Sequence, residues 1–144
     1  MAYTDIDLQT FDLDIFFTDN NKLIHVASAG GYLPKTLAKT DIYNQFVIEK
    51  MSTESNEFEI EINPNLKNID ISSFTALASN GFYSYDKSHL GNFEDMTFHL
   101  VAKPKNKISS KLLLEKYKIT AALIQSNSTI PESFEPFNLE DYIL

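Results

Sequence analysis

The stretch from Leu13 to Leu33, LDIFFTDNNKLIHVASAGGYL, has the form of a β-hairpin and constrains the fold more than any other part of the chain. Two apolar runs flank Asn20-Asn21, and asparagine is among the few non-glycine residues that tolerate the positive φ angles of a two-residue hairpin turn. With those two residues as the loop, Asp19 faces Lys22, Phe17 faces Ile24, Phe16 faces His25, Ile15 faces Val26 and Asp14 faces Ala27. Alternation then sorts the side chains. Leu13, Ile15, Phe17, Ile24 and Val26 share a core face. Asp14, Phe16, Leu23, His25 and Ala27 share a mixed face, on which Asp14 and His25 are diagonal neighbours. A three-residue loop including Lys22 would slip the second strand by one and turn His25 to the core face. Apolar residues on both faces suit a hairpin that is central to its sheet and covered on both sides.

A chain of 144 residues fits one domain, residues 1–144, and can bury roughly 70% of its unfolded surface without disulfides or metals. It has no cysteine, which excludes thiolate nucleophiles, disulfide staples and cysteine-ligated zinc and agrees with a cytoplasmic location. All 12 basic residues are lysine, and the net charge is −8. Without arginine, the usual bidentate reader of guanine and phosphate, nucleic acid is a poor partner. The acidity favours a basic protein or serves solubility. The acidic N-terminus lacks the basic and apolar regions of a signal peptide, and no apolar run approaches the ~20 residues that span a bilayer, so no membrane is expected. Plentiful Lys, Asn, Ile, Phe and Tyr with little Arg, Trp or Gly match an AT-rich bacterial genome.

Along the chain, residues 1 to 11 read as a lead-in strand or a short helix. Gly30-Gly31 and Pro34 take the chain out of the sheet by an irregular turn. Thr40 or Asp41 caps a helix whose Ile42, Tyr43, Phe46, Val47 and Met51 recur at helical spacing, with Asn44, Glu49 and Lys50 toward water. Glu57 to Ile62 alternates strictly, Phe58, Ile60 and Ile62 against Glu57, Glu59 and Glu61, the pattern of a half-buried strand. Ser72 to Asn80 reads as a helix stopped by Asn80-Gly81. Phe82 to Tyr85 and Met96 to Lys103 read as strands that pair across a long loop. A helix follows from Ser109 or Ser110, and residues 119–125 either continue it or form a strand. The tail from Ser126 carries Phe134, Phe137, Leu139, Tyr142 and Ile143 and can pack across the sheet. These elements predict an α+β fold: a mostly antiparallel sheet of about five strands with two to three helices packed on it.

Of the residues able to do chemistry, only Asp14 and His25 are brought together by the pattern, and a carboxylate can orient an imidazole as a general base. A half-exposed strand histidine with a satisfied hydrogen bond is the alternative. Ser28 points to the other face and is a poor nucleophile for that pair. His25, His89 and His99 have no zinc-binding spacing, Asp12, Asp14 and Asp19 do not form a calcium loop, and Gly30-Gly31 is no phosphate loop. No metal and no cofactor is expected. Glu57, Glu59 and Glu61 project either a contact surface for a basic partner or charges that discourage edge pairing. Tyr83 and Tyr85, beside Phe82 and Phe93, are the aromatic candidates for that surface, with core packing the alternative.

Two stretches carry a resemblance. DLDIFFTDNNKLIHVASAGGYLP resembles the opening of small uncharacterised bacterial proteins that read D-I-D-W-F, a short turn, H-x-A/T-S-x-G and L-P, with Ile15 standing in place of Trp. FTALASNGFYSYDKSHLGNF followed by FHLVAKPKNKI is similar to their second block. Together they cover about half the chain. The resemblance implies an immunity-type or accessory protein and carries over no catalytic residue. The expectation is a protein-binding, non-enzymatic chain acting through Glu57, Glu59, Glu61, Tyr83 and Tyr85, for which the resemblance implies the role of an inhibitor of a basic toxin. The alternatives are a small hydrolase-like enzyme using Asp14 and His25 and a structural component of a larger assembly.

Overall fold

The computed structural model describes residues 3–19, 21–51, 57–67, 69–120 and 122–143. Its centre is one mostly antiparallel sheet. Strands β1 (Asp14–Thr18) and β2 (Leu23–Ala27) form the predicted hairpin in the predicted register, from Asp14 opposite Ala27 to Thr18 opposite Leu23. Asn20, half of the expected turn, lies outside the described residues. At the tip the Asp19 carboxylate accepts from the backbone N–H groups of Asn21 and Lys22, at 3.3 and 3.2 Å. The other strands are β3 (Ile60–Ile62), β4 (Phe82–Lys87), β5 (Thr97–Pro104) and β6 (Phe137–Asn138). They lie in the order β1-β2-β4-β5-β3, with β6 pairing β5 as well, and β2–β4 is the parallel pair. The hairpin is therefore at one end of the sheet, not at its centre. Val101 is an extra residue in β5 where the β4–β5 register shifts, which bends the strand and sets Val101 and Ala102 together against the helices.

Helices α1 (Asp5–Thr10), α2 (Asp41–Met51), α3 (Ser72–Ser79) and α4 (Ser110–Lys116) complete the α+β fold. Residues 1 to 11 resolve as helix in their described part because Thr4 and Asp7 form a reciprocal capping box. One sheet face presents Phe16, Leu23 and Phe82 to Val47 and Met51 of α2, to Leu113 of α4 and to Tyr117, which follows α4. The other face presents Ile15, Phe17, Ile24, Val26, Tyr83, Tyr85 and Leu100, and the C-terminal segment lays Ile130, Leu139 and Ile143 across it. Both faces of the hairpin are covered, as its two apolar faces require.

Three further expectations change. Asn44 does not face water: it is buried, its Oδ1 accepts from the Phe16 N–H at 3.0 Å and its amide donates to Thr40 Oγ1 at 2.8 Å, so it satisfies an N–H that β1 turns toward α2. The strand expected over Glu57 to Ile62 is regular only from Ile60, and Ile62 is exposed, since β3 borders solvent. After Lys118, whose φ is +56°, the chain neither continues helix nor forms a full strand; Ile124 and Ser126 instead hydrogen-bond the two sides of Thr18. Gly81 ends α3 at φ +105°, and a Cβ there would lie 2.7 Å from the Leu113 side chain. Gly81→Ala should therefore lower stability by about 1–3 kcal/mol, read as an earlier denaturant midpoint with an unchanged slope.

Candidate functional site

Adjacent strands β1, β2 and β4 place Asp14, His25 and Ser84 in a line on the helix-covered face. His25 Nε2 lies 2.7 Å from Asp14 Oδ1, and its Nδ1 lies 2.6 Å from Ser84 Oγ. The sequence-predicted pair is thus assembled, with a serine that the pattern did not single out, though the parallel β2–β4 register puts Ser84 directly beside His25. Since an ionised carboxylate only accepts, Nε2 donates to Asp14. Exposure runs the wrong way for a hydrolase. The Asp14 side chain is 53% exposed, while His25 and Ser84 are sealed at 1% and 0%, His25 between the rings of Phe16 and Phe74. The acid is therefore open to solvent while the imidazole and the serine are closed off, and the three are linked by hydrogen bonds across β1, β2 and β4. Ser28 is also structural: its Oγ accepts from the Leu13 N–H at 2.7 Å.

The predicted contact surface changes as well. Glu57, Glu59 and Glu61 are exposed, yet Glu57 pairs with Lys116, Glu59 lies 3.7 Å from Lys105 Nζ, and Glu61 is opposite Lys103. Two of the three glutamates thus have a lysine ammonium beside them, and the third has a lysine opposite it in register. Tyr83 and Tyr85 are buried and face the C-terminal segment, where the Tyr85 hydroxyl donates to the Pro131 carbonyl at 2.7 Å. Burial, then the negative Glu132 and Asp19, push the Tyr83 hydroxyl up to about 12. They are core, because β4 is an inner strand with both faces covered.

Uncompensated acid lies at the opposite end of the strands. Register sets Asp14, Ala27, Asp86 and His99 in one row across four strands. Beside it is a cleft of about 500 Å³ lined by Thr10, Asp12, Phe74, Asp86 and Leu90, with no lysine in its described lining. Burial holds the Asp86 carboxyl above the usual range and the negative charges of Asp12 and Asp14 add to it, against the Lys87 N–H and His25, which favour the ionised form. Leu90 and Phe11 are exposed nearby, at 71% and 54%. Two lysines that could have balanced this charge are buried elsewhere. Lys22 is held by Asp19 and by the Ile130 carbonyl at 3.0 Å. Lys87 donates to the carbonyls of Tyr32 and Asp95 at 2.6 and 2.7 Å, and burial pushes its pKa down to about 8.

Among the described residues no group of three or more His, Asp or Glu is arranged to hold a metal ion, and no helix is long and apolar enough to cross a membrane. No protein-family model, no curated protein and no solved structure matches the chain.

The buried lysine and tyrosine give a stability profile. Lys87 releases its proton near pH 8 when folded and near about 10.4 when unfolded, so between those values the unfolded chain holds more protons and stability rises with pH. Tyr83 behaves oppositely. It holds its proton to about 12 when folded and loses it near about 10 unfolded, so stability falls above about pH 10. Denaturant midpoints across this range should pass through a maximum near about pH 10, and Lys87→Met should remove the rise while leaving the fall.

Proposed function

We propose that the protein acts by binding a basic protein through the acidic end of its sheet. The observation that carries this reading is the cleft in which Asp12 and Asp86 stand without a lysine partner, ringed by Phe74 and Leu90. Keeping several carboxylates close together in a partly desolvated cleft raises the cost of their ionisation, and a cation supplied from outside relieves it. Exposed apolar residues beside such charge add contact area, and apolar surface rimmed by polar groups marks interaction sites.

The negative charge of the cleft steers a basic partner toward it, which raises association rate and specificity more than raw affinity. An inhibitor of a basic toxin domain, the class suggested by the sequence resemblance, is one instance of this activity. The enzyme reading through Asp14 and His25 has no such support, because its serine and imidazole are sealed.

The test is affinity capture followed by binding of the purified pair. A partner taken up by the wild type should be released as salt rises, since the Debye length shrinks from about 10 Å at 0.1 M to about 3 Å at 1 M. The partner should be lost with the double substitution Asp12→Lys, Leu90→Asp and kept with Glu59→Gln, Glu61→Gln. Retention by the cleft variant and loss by the glutamate variant would move the contact to β3 and overturn this reading.

A further inference from the structure

A second serine and histidine meet at the outer edge of β5, and these two are not sealed. That edge is occupied by β3 as far as Ala102 and by β6 at Thr97 and Phe98. Between them Asn63 fills the gap, its amide donating to the Leu100 carbonyl at 2.8 Å and to the Phe134 carbonyl at 3.3 Å. A pocket of about 250 Å³ opens here, with Ser88, His89, His99 and Asn65 among its lining. Ser88 is positioned by the ladder: its N–H donates to the Thr97 carbonyl at 2.9 Å, extending β4 by one residue. That sets Ser88 diagonal to His99, with Oγ 2.9 Å from Nδ1.

We propose that Ser88 is a nucleophile, with His99 as its base, acting on small esters. Both side chains are half-buried, so a substrate can reach the oxygen while the imidazole stays partly desolvated. Burial lowers the His99 pKa, which leaves the ring neutral and able to accept a proton at neutral pH. When the ring carries its own proton on Nε2, the Ser88 hydroxyl donates to Nδ1. Attack of Oγ on the ester carbonyl carbon passes the hydroxyl proton to Nδ1. Collapse of the tetrahedral species breaks the bond to the alcohol, which leaves with that proton, and water then hydrolyses the acyl-serine by the same path.

One neighbour suits the developing oxyanion, and a second closes the pocket beside it. Asn65 is exposed at the rim, and its side-chain amide makes no hydrogen bond within the described residues. His89 donates from Nδ1 to Asp95 at 2.8 Å, and Asp95 is itself fixed by the Thr97 N–H at 2.7 Å. In the neutral ring Nε2 is then an acceptor, which leaves the Asn65 amide as the donor for the oxyanion. The volume is below the roughly 300–1,000 Å³ of pockets that take drug-sized ligands, which restricts the substrate to a short acyl group. The line through Ser84 has the same residue types but an inaccessible oxygen, so the two serines provide an internal comparison.

This inference is independent of the protein-binding reading, and its test needs no partner. The full chain, folded, is incubated with a fluorophosphonate probe and the labelled peptide is mapped by mass spectrometry. The expected result is modification at Ser88 and not at Ser84, with His99→Gln slowing labelling roughly 100-fold, the lower range of general-base assistance. An unlabelled Ser88 in the folded wild type, or an equal labelling rate in His99→Gln, overturns the proposal.

Discussion

The Asp19 carboxylate accepts four hydrogen bonds from two parts of the chain. The Asn21 and Lys22 N–H groups come from the hairpin tip, the Ile130 N–H from the C-terminal segment at 2.9 Å, and the Lys22 ammonium from within the core. Lys22 returns the link by donating to the Ile130 carbonyl. One buried ion pair thus fixes the hairpin tip, satisfies both backbone groups of Ile130 and anchors the segment that covers Tyr83 and Tyr85. Removing one partner from such a pair leaves an unpaired buried charge and costs about 3–5 kcal/mol, a large part of the 5–15 kcal/mol by which domains are stable.

Much of the remaining architecture follows from that anchor. With the hairpin register set, Ile15, Phe17, Ile24 and Val26 face the C-terminal segment, while Phe16 and Leu23 face α2 and α4. The same register sends His25 to the helical side, where Ser84 and Asp14 satisfy both ring nitrogens. It also places Asp14 in the row with Asp86, at the end where no lysine lines the cleft. The alternation that sends His25 to the helical side therefore also puts Asp14 and Asp86 in one row.

The hairpin was readable because its signals agree: apolar runs on both sides of a turn pair and alternation that fits one register. The α+β class, the β4–β5 pairing and the packed tail were readable for similar reasons. Compensation was not. The glutamates of Glu57 to Glu61 look like a bare acidic row until Lys103, Lys105 and Lys116 arrive from distant parts of the chain. The sequence assigns Tyr83 and Tyr85 to the contact surface with core packing the alternative, and the placement of β4 inside the sheet makes them core. Asn44 sat on the polar side of its helix by spacing, but the Phe16 N–H needed an acceptor there. Ser84, Ser88 and the Asp12–Asp86 cleft depend on strand order, including a parallel pair separated by more than fifty residues, which local periodicity does not encode.

The central claim is that the Asp19 junction couples the hairpin to the C-terminal segment, and amide hydrogen exchange on Asp19→Ala tests it most directly. The account predicts that the amides of β1, of β2 and of Ile130 lose protection together, because the turn and the segment share one carboxylate. Loss confined to Asn21 and Lys22, with Ile130 as protected as in the wild type, would contradict it.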